Sequence, residues 1–141
     1  MTDLADAVEG IVHEPTQVRE GGVDLTVSEI YEIHGAGRID FGGDELRDAD
    51  LVPHSRIWRD EGDDYQWWHL ESGTYLLEYN ESLSGVSPAD EVGLQPRTEV
   101  LERGASHPSL RVETLPRVPL TVGGAGVRLK ENARVSTLLT R

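Results

Sequence analysis

Polar and apolar residues change places over short distances along this chain, and no amphipathic pattern lasting three helical turns survives beyond the N-terminal segment. Fifteen glycines and seven prolines supply the interruptions. Between them lie short runs of strand-forming residues, each bounded by Gly, Pro, Asn or Asp, and these predict strands over 23–33, 65–70, 74–79, 91–94, 118–122, 127–129 and 133–139. Short strands at this spacing predict an all-β sandwich or barrel. Three stretches depart from the pattern. Residues 4–12 read as a short helical arm, and residues 35–64 read as one long acidic loop rich in Gly and Asp. The run Pro96-Arg97-Thr98-Glu99-Val100-Leu101-Glu102-Arg103-Gly104 predicts a short helix near 97–103, with Pro before its first turn and Gly104 as a left-handed stop. Glu99 and Arg103 would form an i,i+4 pair on that helix.

The charge balance narrows the partners. Asp and Glu number 26 against 13 Lys and Arg, giving a net charge of -13, and Lys130 is the only lysine. Nucleic acids and anionic membranes need a basic footprint, so neither is an expected partner. Abundant carboxylates with almost no lysine are the composition of a halophilic protein, in which molar salt screens the self-repulsion. The long loop fits that reading better than a calcium site, because its carboxylates lack the alternate spacing of a calcium loop. Cysteine is absent, which removes thiolate metal sites and thiol nucleophiles. No apolar run approaches the roughly 20 residues of a membrane span, and the acidic start is unlike a signal peptide, so the expected location is cytoplasmic. The length suits a single domain over 1–141.

Several segments then fall in the order of one known family. Gly22-Val23-Asp24-Leu25-Thr26 matches an early strand motif, and Leu70-Glu71-Ser72-Gly73-Thr74-Tyr75 matches a hairpin in which Ser72 stands in the proline place, with Glu81 following at a strand end. Pro96-Arg97-Thr98-Glu99-Val100 stands where members carry P-R-S-S-L, and 126–129 with Ala133-Arg134-Val135-Ser136-Thr137-Leu138 resembles the closing G-x-x-L and A-R-I-A-Q-L. On these residues, spanning 17–139, the chain resembles the dUTPase and dCTP deaminase superfamily, in particular its short archaeal branch. The resemblance implies a distorted β-barrel or jelly roll and a homotrimer with nucleotide sites between subunits. It also implies a deoxynucleoside triphosphate substrate, dUTP or dCTP, handled with Mg2+.

For the dUTPase reaction, dUTP and water to dUMP and pyrophosphate, the resemblance assigns Arg97 and Thr98 to the phosphates and Glu113 to activation of water. Arg97 suits a salt bridge at a subunit interface equally well, and Glu113 also reads as an exposed strand residue. Asp24 is a candidate metal or structural residue, and Thr137 replaces the Gln that members place near the base. Glu99 puts a carboxylate where members bind phosphate with a serine, and Leu115 and Pro116 replace the Gly and aromatic residue that follow the catalytic Asp. These departures support a second reading, a catalytically impaired homologue serving as a nucleotide-binding or structural trimer subunit. A dCTP deaminase is the third. The histidines at 13, 34, 54, 69 and 107 show no metal-ligand spacing and no hydrolase context, and Trp67 and Trp68 beside Tyr65 read as core and subunit packing.

Overall fold

The computed structural model describes residues 3–140. Strands dominate it: β1 (Val8–Glu9), β2 (Val18–Arg19), β3 (Gly22–Gly35), β4 (Asp50–Pro53), β5 (Trp67–Leu70), β6 (Gly73–Tyr79) and β7 (Ser82–Leu83) precede β8 (Gly93–Pro96), β9 (Ala105–Ser106), β10 (Leu110–Arg111), β11 (Val118–Val122), β12 (Val127–Lys130) and β13 (Arg134–Leu139). Two short helices, α1 (Glu14–Gln17) and α2 (Thr98–Glu102), and 3-10 turns at Leu4–Ala7 and Pro88–Asp90 complete the elements. The all-β expectation holds.

β3 organises the sheet. Its first half pairs with β13 and β2, its middle with β6, and its far end with β4, with register shifts that bend the strand as it passes from one partner to the next. The main sheet therefore runs β10-β8-β13-β3-β6-β11-β9 and curls into a half-barrel. The core fills its concave side. On β11, Val118, Leu120 and Val122 are buried while Pro119 and Thr121 face out, the period-two pattern of a strand with one wet face. Trp68, Ile30, Leu77, Leu94 and Leu138 close the same core.

β3 obeys the same period, with a different result on its second face. Val23, Leu25 and Val27 enter the apolar core, while Asp24 and Thr26 point the other way and are buried as well. The N-terminal segment covers them. That segment is not the helical arm expected over 4–12: only Leu4–Ala7 forms a 3-10 turn, after which Val8–Glu9 pairs with β7 and helix α1 follows at Glu14–Gln17. Gly10, with φ of 84°, marks the break between them.

The acidic stretch 35–64 also differs from expectation. β3 continues to Gly35 and pairs with β4, and beyond them Arg38 and Arg47 form an antiparallel bridge, so 35–53 is a ribbon rather than an irregular loop. Ile33 and Val52 supply its strand propensity, which the surrounding Asp and Gly residues masked in the sequence. The strand expected over 91–94 begins at Gly93, because Glu91 adopts a left-handed conformation with φ of 51° after the turn at Pro88–Asp90. Gly104, with φ of 82°, ends α2 as expected.

Candidate functional site

Three adjacent strands assemble a polar cluster on the outer face of β3. Thr137 on β13 stands opposite Asp24 on β3 and opposite Gln95 on β8, and the chain leaves β8 through Pro96 into Arg97. The Arg97 amide donates to the Val135 carbonyl, which fixes its approach to β13. Asp24 is fully buried. One of its oxygens accepts from Arg19 Nη2 at 2.7 Å and from Thr137 Oγ1 at 2.9 Å; the other accepts from Arg134 Nη1 at 3.0 Å and lies 3.7 Å from Arg97 Nε. One carboxylate thus orients three guanidiniums. Arg97 also donates through Nη2 to Glu99 Oε2 at 2.8 Å, so three cations face two carboxylates and one positive charge remains. A carboxylate desolvated this completely is tolerable only with such partners.

Gln17 seals the cluster from below. Its amide nitrogen donates to the Asp24 carbonyl at 2.9 Å and to Glu81 Oε2 at 2.8 Å, and its oxygen accepts from the amides of Val12 and His13, both at 2.8 Å. All four hydrogen-bonding positions of the side chain are used. Glu81, also buried, further accepts from the Thr26 amide at 2.8 Å and its hydroxyl at 2.6 Å. A cavity of about 270 Å³ opens beside Arg134, with Gln17, Thr26, His13, Thr16 and Asn132 on its walls. Sequence reading missed Gln17, Arg19 and Arg134. Arg134 was visible as part of the closing motif, and the scarcity of cations in so acidic a chain gave every buried-face arginine a claim to attention; Arg19 and Gln17 carried no such signal.

A second polar group lies on the core side of β13. His107 Nδ1 is 2.9 Å from the Pro108 carbonyl, which can only accept, so that nitrogen carries the proton. Nε2 then accepts from Ser136 Oγ at 2.7 Å, and Ser136 accepts from the Tyr79 hydroxyl at 2.6 Å. Burial holds the His107 pKa below its usual range and pushes that of Tyr79 up, so both stay neutral. The relay lacks an acidic member and satisfies polar atoms inside the core. It was invisible in the sequence because its residues are far apart along the chain.

The other expected residues divide. Asp24, Arg97 and Thr137 come together. Thr98 is exposed in the first turn of α2, at the margin of the cluster. Glu99 does not pair with Arg103 through its carboxylate: that group turns back to Arg97, and Arg103 Nη1 donates instead to the Glu99 backbone carbonyl at 3.0 Å. The nearer, half-buried guanidinium wins the exposed carboxylate. Glu113 is exposed and lies apart from the cluster. β10 runs antiparallel along β8 from Leu94 to Gly93, and Val112 then bonds Val92, so the chain reaches Glu113 while moving away from Arg97.

As a metal ligand, Asp24 does not fit. Both of its oxygens are taken by cations and a hydroxyl, and three guanidiniums around it would repel a dication. Among the described residues, no group of three or more His, Asp or Glu side chains is placed to hold a metal ion. The cluster carries more guanidiniums than carboxylates.

Comparison with known proteins extends the geometry. No model of a known protein family matches the chain. A probable deoxyuridine 5'-triphosphate nucleotidohydrolase of Methanosarcina acetivorans is 31% identical over 140 residues, covering 94% of this chain and 76% of that protein. The chain belongs to the dUTPase-like family. A similarly named protein of Methanosarcina mazei is 30% identical over the same shares of both chains. One of Halobacterium salinarum is 32% identical over 99 residues, 70% of this chain and 56% of that protein. The dUTPase-like assignment agrees with the curled, all-β architecture and with the motif order read from the sequence. It also gives the Asp24 cluster a context: the residues brought together by β3, β8 and β13 come from three of the segments that carried the resemblance.

Proposed function

We propose that this dUTPase-like protein binds the triphosphate of a deoxynucleoside, dUTP by analogy with the names of its relatives, at the Arg19, Arg97 and Arg134 cluster. The observation that carries this reading is the convergence of three guanidiniums on one buried carboxylate in a chain of net charge -13. A guanidinium has five N–H donors. Among the described residues, Arg19 uses only Nη2 and Arg134 only Nη1 in these contacts. Their remaining donors are free for phosphate oxygens, and Asp24 holds them in place before the ligand arrives.

The reaction assigned to the site is hydrolysis of dUTP to dUMP and pyrophosphate. Glu113 would take the proton of the attacking water. Because it lies apart from the cluster of its own chain, it acts on that of a neighbouring copy, in a homotrimer with sites between subunits. Mg2+ would enter on the triphosphate oxygens, since the cluster offers it no carboxylate.

Two departures favour a second reading, binding without turnover: Glu99 occupies Arg97, and Leu115 and Pro116 follow Glu113 in place of a flexible glycine and a stacking ring. Measurement of pyrophosphate release from dUTP and ammonia release from dCTP, in molar KCl with magnesium, separates the readings. Pyrophosphate release supports the hydrolase. Thermal stabilisation by a nonhydrolysable dUTP analogue without turnover supports the binder, ammonia release from dCTP points to deamination, and no response of any kind rejects nucleotide binding.

A further inference from the structure

The ribbon continuing from β3 and β4 ends in a shaped, apolar tip. Phe41, the only phenylalanine of the chain, is fully exposed, Ile39 is 92% exposed and Leu46 is 62% exposed. The backbone that carries them is tied down. The Arg38–Arg47 bridge closes the base, and the Asp40 carboxylate accepts from the amides of Gly43 and Glu45 at 3.1 Å. A protein with so few aromatic residues thus fixes one of them in water, where it covers nothing of its own chain. Contiguous exposed apolar residues on a rigid support mark a contact surface.

A matching receptor lies elsewhere on the molecule. Between α2 and strands β12 and β13 runs an apolar groove of about 220 Å³ lined by Val100, Leu120, Val127 and Val135. Its rim carries Arg103, Arg128, Lys130 and Arg134 against the single carboxylate of Glu99, an excess of three positive charges. The ribbon segment 38–50 carries Asp40, Asp44, Glu45, Asp48 and Asp50 against Arg38 and Arg47, an excess of three negative charges. Tip and groove match in both apolar character and charge, and the groove holds four of the 13 cations in the chain. Complementarity of this kind sets register and partner choice.

We infer that the 38–50 ribbon of one copy seats Phe41 and Ile39 in the Val100–Val127 groove of a second copy. The contact joins two different surfaces, so in a closed homotrimer every copy gives one ribbon and receives one. The inference rests on the self-assembly part of the reading above; the groove shares Arg134 and Glu99 with the arginine cluster, and the test reads assembly rather than nucleotide chemistry.

Sedimentation velocity in molar KCl tests it. Wild-type chain is expected as a closed oligomer. The double variant Ile39→Ser/Phe41→Ser, altered only at exposed positions, is expected as a folded monomer by circular dichroism, and Val127→Glu, which sets a carboxylate in the groove, likewise. An equimolar mixture of the two variants retains one good ribbon and one good groove and is expected to form a one-to-one pair. A ribbon variant that keeps the wild-type sedimentation coefficient overturns this contact while leaving self-assembly intact, as does failure of the mixture to pair. A monomeric wild type at tens of micromolar overturns both.

Discussion

Asp24 is a buried carboxylate held by a network of arginines, so replacing it carries a large energetic consequence. It is fully buried, and its charge is balanced by arginines that would otherwise repel one another. Replacing it by Asn keeps the shape and removes the counter-charge. Breaking a buried ionic network on one side costs about 3–5 kcal/mol, so Asp24→Asn is expected to lower the urea midpoint by that much stability. A midpoint unchanged within error would mean that the arginines do not depend on the carboxylate. His107 gives a different residue-scale outcome. Burial depresses its folded pKa below the unfolded value of 6.5, so the unfolded chain binds the extra proton. Its contribution to stability is complete above pH 6.5 and is lost as pH falls through the folded pKa, with a slope of at most about 1.4 kcal/mol per pH unit. Denaturant unfolding at pH 7.5 and 5.5 should show a smaller acid loss in His107→Asn than in wild type; equal losses would exclude His107 as the source.

At the scale of elements, α2 and β3 show what could and could not be read in advance. The Pro, Arg and Gly of 96–104 announced a short helix and its end, because capping and stop signals are local. The partner of Glu99 was closer in sequence than the i,i+4 rule suggested: Arg97 stands two residues before it, and the bond of its amide to the Val135 carbonyl on β13 holds its backbone in place for the ion pair. On β3, alternation marked a strand, but the burial of Asp24 and Thr26 depends on the Gln17 segment folded across them, which no local pattern shows. Arg19 was hidden for the same reason. The Arg97–Glu99 pair has a measurable consequence. Glu99 is exposed, so the pair is worth no more than about 1 kcal/mol, and freeing Arg97 by Glu99→Ser should tighten dUTP-analogue binding by about two- to fivefold in calorimetry. Unchanged affinity would place the phosphate away from Arg97.

For the whole molecule, the net charge of -13 has two levels. Globally it is self-repulsion spread over ribbon and surface; locally it is reversed at the arginine cluster and at the groove rim. Added KCl screens the first much more than the second, whose pairs are close and partly buried. The melting temperature is therefore expected to rise on the order of 10 °C between dilute buffer and molar KCl, and a flat profile by differential scanning calorimetry would contradict it. The pairing of β3 with β13 adds a constraint of another kind. Residues 24 and 137 are neighbours in space at almost opposite ends of the sequence, so the loop they close is among the longest the chain can make. Contacts of this span form late and slowly. During synthesis Arg19 and Asp24 emerge early and wait for β13, so the arginine arrangement around Asp24 is completed only when the final strand docks. Any lesion that delays that docking would yield a chain with much of its core in place and the Asp24 cluster unassembled.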